Sequence, residues 1–258
     1  MQQKINKNHK SKSLNTNNYW LYGKHPVISA INNPKRKILR LISTSKSAQS
    51  IEDYKDLLRR KDVRIETFDT SDINKIVETE EGVHQGIAVQ VMKLSQLSIP
   101  ELLLRTKDKK SILIFLDQVT DPQNIGAIIR NAAAFGADAV ITTKDNAPSE
   151  NASIIKASSG TFENVPYIQV TNITRTLKEI KLHEYWVAAI TQNGENNLAK
   201  MEQSFDKLGL IFGSEGFGIR NINLDQADLK IKIKISNSLE SLNVSNTTAI
   251  ALYQLSSN

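Results

Sequence analysis

The stretch SILIFLDQVTDPQNIGAIIRNAAAFGADAVIT, Ser111 to Thr142, decides the fold class. Its apolar run Ile112 to Leu116 has the length and the unbroken hydrophobicity of a strand buried on both faces, as in a parallel sheet. A turn-rich segment follows, Asp117 to Asn124, with Pro122 inside it. Ile125, Ile128, Ile129 and Ala132 then repeat at helical spacing and form one apolar stripe. Gly136 stands where a helix end wants a left-handed residue. A second apolar run, Ala139 to Thr142, comes at once. The reading is strand, loop, helix, strand, with the loop at the carboxyl end of the first strand, where open α/β sheets bind ligands. That loop and the first helical turns hold Asp117, Gln118, Asp121, Gln123, Asn124 and Arg130, polar groups that no core requires.

Two later stretches read as partners of this unit. LGLIFGSEGFGIRN, Leu208 to Asn221, is a short strand that runs into Gly213, Glu215, Gly216 and Gly218. IKIKISNSLESLNVSNTTAIALYQL, Ile231 to Leu255, is a strand over Ile231–Ile235, a polar loop and a closing helix over Val244–Leu255. Between them, strands are expected at Tyr167–Val170, Trp186–Thr191 and Leu208–Phe212, and helices at Ser149–Ser158 and Thr174–Leu182. The alternation implies a mostly parallel sheet with helices on both faces.

The first third reads differently. Of the net charge of +6, residues 1–95 carry +7 (17 Lys/Arg against 10 Asp/Glu) and the remainder −1. Such asymmetry points to a front segment that meets a polyanion. Residues 1–18, rich in Lys, Asn, Gln and Ser with no acid, read as a disordered basic arm. From residue 19 to about 93 a small α/β domain is expected, with helices at Pro26–Ile31, Ser50–Arg60 and Ser71–Val77, the last capped by Ser71. Its strands are expected at Ile38–Ile42, Val63–Thr67 and Gly86–Val91. Lys24 and His25 fall on an expected surface loop, and Lys35, Arg36, Lys37 and Arg40 form a basic cluster. His84, in the turn EGVHQG, either touches RNA or caps its turn. Residues 94–110, holding Pro100 and the charge run RTKDKK, read as a linker with a short helix over Pro100–Arg105, ahead of a second domain over 111–258.

Several classes fall away. There is no cysteine, so neither disulfides nor thiolate metal sites, and His9, His25, His84 and His183 show no ligand spacing; no metal is expected. No apolar run reaches the roughly 18 residues of a membrane span, and the N-terminal region lacks a signal-type apolar core, so a cytoplasmic protein is expected. The glycines of GSEGFG are spaced 0, 3 and 5, against 0, 2 and 5 in the dinucleotide fingerprint, and no phosphate-loop motif occurs.

Three stretches, DPQNIGAIIRNAAAFGADAVI, LGLIFGSEGFGIR and SLNVSNTTAIALY, resemble in order the three motifs of the SpoU class of RNA 2′-O-ribose methyltransferases. KASSGTFENVP, Lys156 to Pro166, resembles the stretch between them, and YGKHPVISAI and HQGIAVQV resemble the two ends of that class's substrate-binding domain. The resemblance covers roughly Tyr19 to Leu255. It implies a catalytic domain with a trefoil knot, S-adenosylmethionine as methyl donor, a homodimer, and an RNA ribose as acceptor. It places Asn124, Arg130, Glu215, Ser241 and Asn243 at catalytic positions and Gly213, Ile233 and Leu242 at donor-binding ones. Arg130 would serve either as general base or as a grip on the phosphate beside the hydroxyl; Asn124 would also serve as a helix N-cap. A front domain of this kind resembles that of the enzymes acting on guanosine in large-subunit rRNA. The alternatives are a transfer RNA substrate, or a non-catalytic RNA-binding or ribosome-assembly factor. Lys234 and Ile235 depart from the class's usual Pro-Met, SNTT after Val244 from commoner small residues, and Ser158–Thr161 from Ser-Ala-Gly-Ala; none removes a catalytic position.

Overall fold

The computed structural model describes residues 17–79, 83–200, 205–236 and 238–256. In the front part, β1 (Asn18–Tyr22), α1 (Lys24–Asn32), β2 (Ile38–Ser43), α2 (Lys55–Arg60), β3 (Arg64–Thr67), α3 (Thr70–Val77) and β4 (Ile87–Met92) build a four-stranded sheet of order β1-β4-β2-β3. β4 is antiparallel to β1 and β2, and β2 is parallel to β3. The rear part runs α4 (Ile99–Arg105), β5 (Ser111–Asp117), α5 (Pro122–Ala134), β6 (Ala139–Thr143), α6 (Ala152–Ala157), β7 (Tyr167–Val170), α7 (Ile173–Lys181), β8 (Trp186–Ile190), β9 (Asn196–Asn197), β10 (Lys207–Gly213), α8 (Asn221–Leu224), β11 (Leu229–Lys232) and α9 (Val244–Ser256). Its seven strands lie in the order β7-β6-β5-β10-β8-β11-β9, and every pairing is parallel.

The unbroken apolar run of β5 is explained by its two neighbours. Ile114 and Leu116 pack toward α5, α6 and α9, while Leu113 and Phe115 pack toward α4 and α7. All four are fully buried. On α5 the predicted stripe is the inward face, and Ile125, Ile128, Ile129 and Ala132 have no exposed surface. Each buried isoleucine contributes about 1.5–3 kcal/mol, which outweighs the roughly 1 kcal/mol that Gly126 costs inside a helix. Gly126 is there for space: a Cβ would lie 2.4 Å from Ala157 Cβ and 2.6 Å from the Ile154 carbonyl, because α5 crosses α6 nearly backbone to backbone. α5 closes as expected, with Gly136 at φ +74° and Ala137 N–H donating to the Ala132 carbonyl at 2.9 Å.

Several expectations need correction. Strand β1 was not foreseen, and it absorbs Asn18 from the expected arm; residues 1–16 lie outside the described residues. The helix expected over Ser50–Arg60 is a 3₁₀ stretch, Ala48–Tyr54, followed by α2. Asp69, not Ser71, precedes the first turn of α3. Lys24 and His25 are exposed in the first turn of α1, not on a loop. The last strand ends at Lys232, so Ile233 to Ile235 belong to the loop beyond it. The short helix expected over Pro100–Arg105 forms as α4: Ser98 and Glu101 make a reciprocal capping box, and Ile99, Leu102 and Leu103 enter the core beneath the seven-stranded sheet. Of the two roles expected for His84, the structure shows the turn cap, with the ring buried. Its Nε2 donates to Asn74 Oδ1 (2.7 Å) and its Nδ1 accepts from Gly86 N–H (2.8 Å).

The largest correction concerns the basic cluster. Arg36 has no exposed side-chain surface. It bridges the two sheets' layers, donating from Nε and Nη2 to Glu163 Oε1 (3.0 and 2.7 Å), and from Nη1 to Glu150 Oε1 (2.5 Å) and the Met92 carbonyl (2.8 Å). Tyr19 donates its hydroxyl to Glu150 (2.5 Å), Leu94 N–H donates to Glu150 (2.9 Å) and Asn33 donates to Glu163 (2.6 Å). Burial, followed by the Glu150 charge, pushes the Tyr19 hydroxyl far above its ordinary range. Every oxygen of this buried group is used, which is the condition under which buried charges are tolerated.

Candidate functional site

Parallel strands β5, β8, β10 and β11 all end on one edge of the sheet. Chain order also reverses there: β6 and β7 follow on one side of β5, whereas β10, β8 and β11 lie on the other. Ligands collect at such a switch point. A cavity of about 420 Å³ opens at this edge, within the roughly 300–1,000 Å³ typical of small-molecule sites. Its walls are the loop after β8 (Thr191 to Asn193), the loop after β10 (Gly213 to Ile219) and the segment after β11, with Ile233, Ser241 and Leu242.

The loop after β10 is folded tightly back. Gly218 N–H donates to the Ser214 carbonyl at 2.9 Å. At Gly213 a Cβ would lie 2.1 Å from the Gly218 carbonyl carbon, so only glycine lets the loop close. Arg220 locks its far end: Nε donates to Asp117 Oδ1 (2.8 Å) and the backbone N–H to Oδ2 (2.9 Å). Asp117 closes β5 and is fully buried, so this pair ties the far end of the loop after β10 to the end of the neighbouring strand β5. In sequence Asp117 reads as one more polar residue of the loop, and nothing near Arg220 marks it. Their pairing spans 103 positions and has no local signal.

Beside the cavity three predicted residues meet. Asn243 Nδ2 donates to Glu215 Oε1 (2.7 Å) and to Asn124 Oδ1 (2.8 Å), and Asn124 Nδ2 reaches Glu215 Oε1 at 3.4 Å. Asn243 has a second task. Its Oδ1 accepts from Ser245 N–H (2.9 Å) and Ser245 Oγ (2.5 Å), which caps α9. Asn124 does not cap α5; Asp121 does, accepting from Gln123 N–H at 3.0 Å. Freed of that task, the Asn124 amide turns toward Glu215.

Gly213, Ile233, Ser241 and Leu242 line the cavity, together with Glu215. Apolar Ile233 and Leu242 with polar loop backbone on either side suit a flat ring with a polar tail. Arg130 is not among the lining residues. It is exposed, one and a half turns beyond Asn124 on α5, and its Nη1 lies 3.4 Å from Ser159 Oγ. Among the described residues no group of three or more His, Cys, Asp or Glu could hold a metal ion, and no helix is long and apolar enough to cross a membrane.

Comparison with known proteins bears on this geometry. Residues 111–253 match the SpoU rRNA methylase family, and residues 20–97 match the RNA 2′-O ribose methyltransferase substrate-binding family. The chain is 32% identical to a 23S rRNA (guanosine-2′-O-)-methyltransferase, RlmB, of Ralstonia nicotianae, over 91% of this chain and 93% of that protein. It is 31% identical to the RlmB of Nitrosomonas europaea, over 93% and 91%. In fold it is similar to an AdoMet-bound rRNA methyltransferase from Sinorhizobium meliloti, with a TM-score of 0.78 at 20% identity over 93% of this chain and 87% of that one. The AdoMet complex of the SpoU methyltransferase AviRb from Streptomyces viridochromogenes gives 0.75 at 19% identity over 93% and 90%. At such identities the structures speak for the fold alone, whereas the family match and the curated relatives speak for descent: the chain belongs to the SpoU methylase family.

Proposed function

We propose that this protein methylates a ribose 2′-hydroxyl of a guanosine in 23S-type ribosomal RNA, with S-adenosylmethionine as donor. The observation that carries the reading is the Asn124–Glu215–Asn243 hydrogen-bonded group beside a cavity lined by Gly213, Ile233 and Leu242. Relatives named for that activity, matched over nine-tenths of both chains, support the substrate. The cavity fits the donor in volume and in its pairing of apolar walls with loop backbone. When bound, the donor supplies an activated methyl group on a sulfonium centre, so the protein's share is positioning.

We assign Glu215 and Asn243 to holding three loops in register around the cavity, with Asn124 as the amide nearest the acceptor side. Ser241 orients the donor's polar end. Arg130 grips the phosphate next to the target ribose and aligns its hydroxyl. Arginine keeps its proton at neutral pH and offers a planar fork to phosphate, which favours this role over that of general base. Since Arg130 does not line the cavity of its own chain, we place the complete site between two copies in a homodimer. Ile250 and Tyr253, 41% and 64% exposed on α9, supply apolar surface for that contact.

We divide the chain into an RNA-binding domain over 19–93, a connecting segment over 94–110 and a methyltransferase domain over 111–258. We further propose that the latter is knotted. Segment 238–243 is tied to the loop after β8 through Gln192 and the Glu240 carbonyl, then to the loop after β10 through Asn243 and Glu215, before α9 returns against α5. The test is tritiated methyl transfer to undermodified ribosomal and transfer RNA, with Arg130→Ala alongside. Label in large-subunit RNA that the variant loses upholds the reading. Label in transfer RNA overturns the substrate, and bound donor without transfer to either RNA overturns the activity.

A further inference from the structure

The contact between front and rear layers leaves an exposed strip of positive charge. Beneath it the carboxylates of Glu150 and Glu163 are enclosed and both pair with Arg36, which offsets part of their charge. Above it the layers touch closely. A Cβ on Gly160 would lie 2.3 Å from Ser29 Oγ and 3.1 Å from the His25 carbonyl, so α1 rests directly on the turn after α6. On the rear side of this seam stand Lys156, exposed on α6, and Ser159, which Arg130 contacts at 3.4 Å. On the front side stand Lys24 and His25, both exposed in the first turn of α1. Lys156 crosses the seam, with its Nζ 5.6 Å from the centre of the Tyr22 ring. Lys24, Lys156 and Arg130 thus follow one another from α1 over α6 to α5, and among the described residues none of the three is held in a salt bridge.

We infer that this strip is a phosphate track: Lys24 and Lys156 hold the RNA backbone flanking the target nucleotide and deliver it to Arg130. The inference rests on the proposed RNA activity and adds to it the path of the substrate. The partner is a polyanionic backbone rather than an acidic protein, because the cations lead from α1 over α6 to Arg130, the residue assigned to the phosphate beside the target ribose. The seam is fixed by the Arg36 ion pairs, so the track is built before RNA arrives. Lysine ammoniums read phosphates without sequence preference, so the track sets register and not base identity.

The test is filter binding of the full-length protein to undermodified 23S rRNA across a salt series, with Lys24→Gln/Lys156→Gln compared with wild type. Arg175→Gln/Lys178→Gln, both exposed on α7 at the opposite face of the sheet, serves as the control for the same loss of two positive charges. Loss of two phosphate contacts lowers the slope of log affinity against log salt by about 1.4 on single strands or about 1.8 on duplex. We expect that drop, a KM for RNA raised about tenfold or more, and an unchanged kcat at saturating RNA. An unchanged salt slope, or an equal loss in Arg175→Gln/Lys178→Gln, overturns the track. Binding is read without turnover. A wild type that binds through Lys24 and Lys156 yet transfers no methyl group overturns the catalytic reading and upholds the track.

Discussion

Arg36→Met removes the one cation that serves two buried carboxylates, and its cost follows from their surroundings. The Glu150 and Glu163 side chains are 7% and 1% exposed, and Arg36 is fully enclosed. An exposed ion pair is worth about 0–1 kcal/mol. Removing one partner of a buried pair costs about 3–5 kcal/mol, because the remaining charge stays buried without its counter-ion. Here two carboxylates are stranded, although the donors Tyr19, Asn33 and Leu94 N–H remain. The upper part of that range is therefore expected. At about 2–4 °C per kcal/mol for a chain of this size, Tm falls by roughly 10–15 °C in a thermal scan. Adding Glu150→Gln and Glu163→Gln to Arg36→Met recovers most of the loss, since an intact buried pair and its neutral replacement are nearly equal in free energy. A loss below about 1 kcal/mol for Arg36→Met alone would refute the reasoning, because it would place Arg36 among solvent-screened pairs.

Other outcomes follow from single features. Gly126→Ala forces a Cβ against Ala157 and the Ile154 carbonyl. Overpacking of about 1–3 kcal/mol outweighs the roughly 1 kcal/mol alanine gains in a helix, so the urea midpoint drops; an unchanged or higher midpoint contradicts the close crossing. Gly213→Ala opens the loop after β10, and calorimetry is expected to show S-adenosylmethionine binding weakened at least tenfold, with wild-type affinity as the contrary result. Burial pushes His84 below its ordinary value, and its Nδ1 already accepts a hydrogen bond, so the folded chain holds it neutral. The unfolded chain therefore binds the proton more readily. The stability this contributes is complete above about pH 6.5 and is lost as pH falls through the lowered value. Urea midpoints between pH 7.5 and 5 should fall more steeply for wild type than for His84→Gln, and equal slopes would exclude His84 as the cause.

What the sequence revealed depended on how local the cause was. The β5–α5–β6 unit was legible because its apolar run, its helical stripe and Gly136 act within a few residues of one another. Strand β1 was not, because NYWLY adjoins a polar arm and takes its meaning from antiparallel pairing with β4, far along the chain. Ser71 and Asn124 were read as caps on residue type alone. Asp69 and Asp121 precede those helices instead, two and three residues earlier in the chain. Arg36 looked like one more surface cation. Its partners stand 114 and 127 positions away, and nothing near it in the chain announces burial. Asn124, Glu215 and Asn243 were named from motif resemblance, while their mutual contact, across separations of 91, 119 and 28 positions, belongs to the fold. Arg220 was missed for the same reason: its effect lies in closing a loop onto a buried Asp117.

One measurement bears most directly on the central claim. Large-subunit ribosomal RNA lacking its methyl groups is incubated with the protein and S-adenosylmethionine, digested to nucleosides, and analysed by mass spectrometry. The account predicts 2′-O-methylguanosine at a single position, absent when Arg130→Ala replaces the wild type. A methyl group on a base, on another nucleoside, or only in transfer RNA would contradict it.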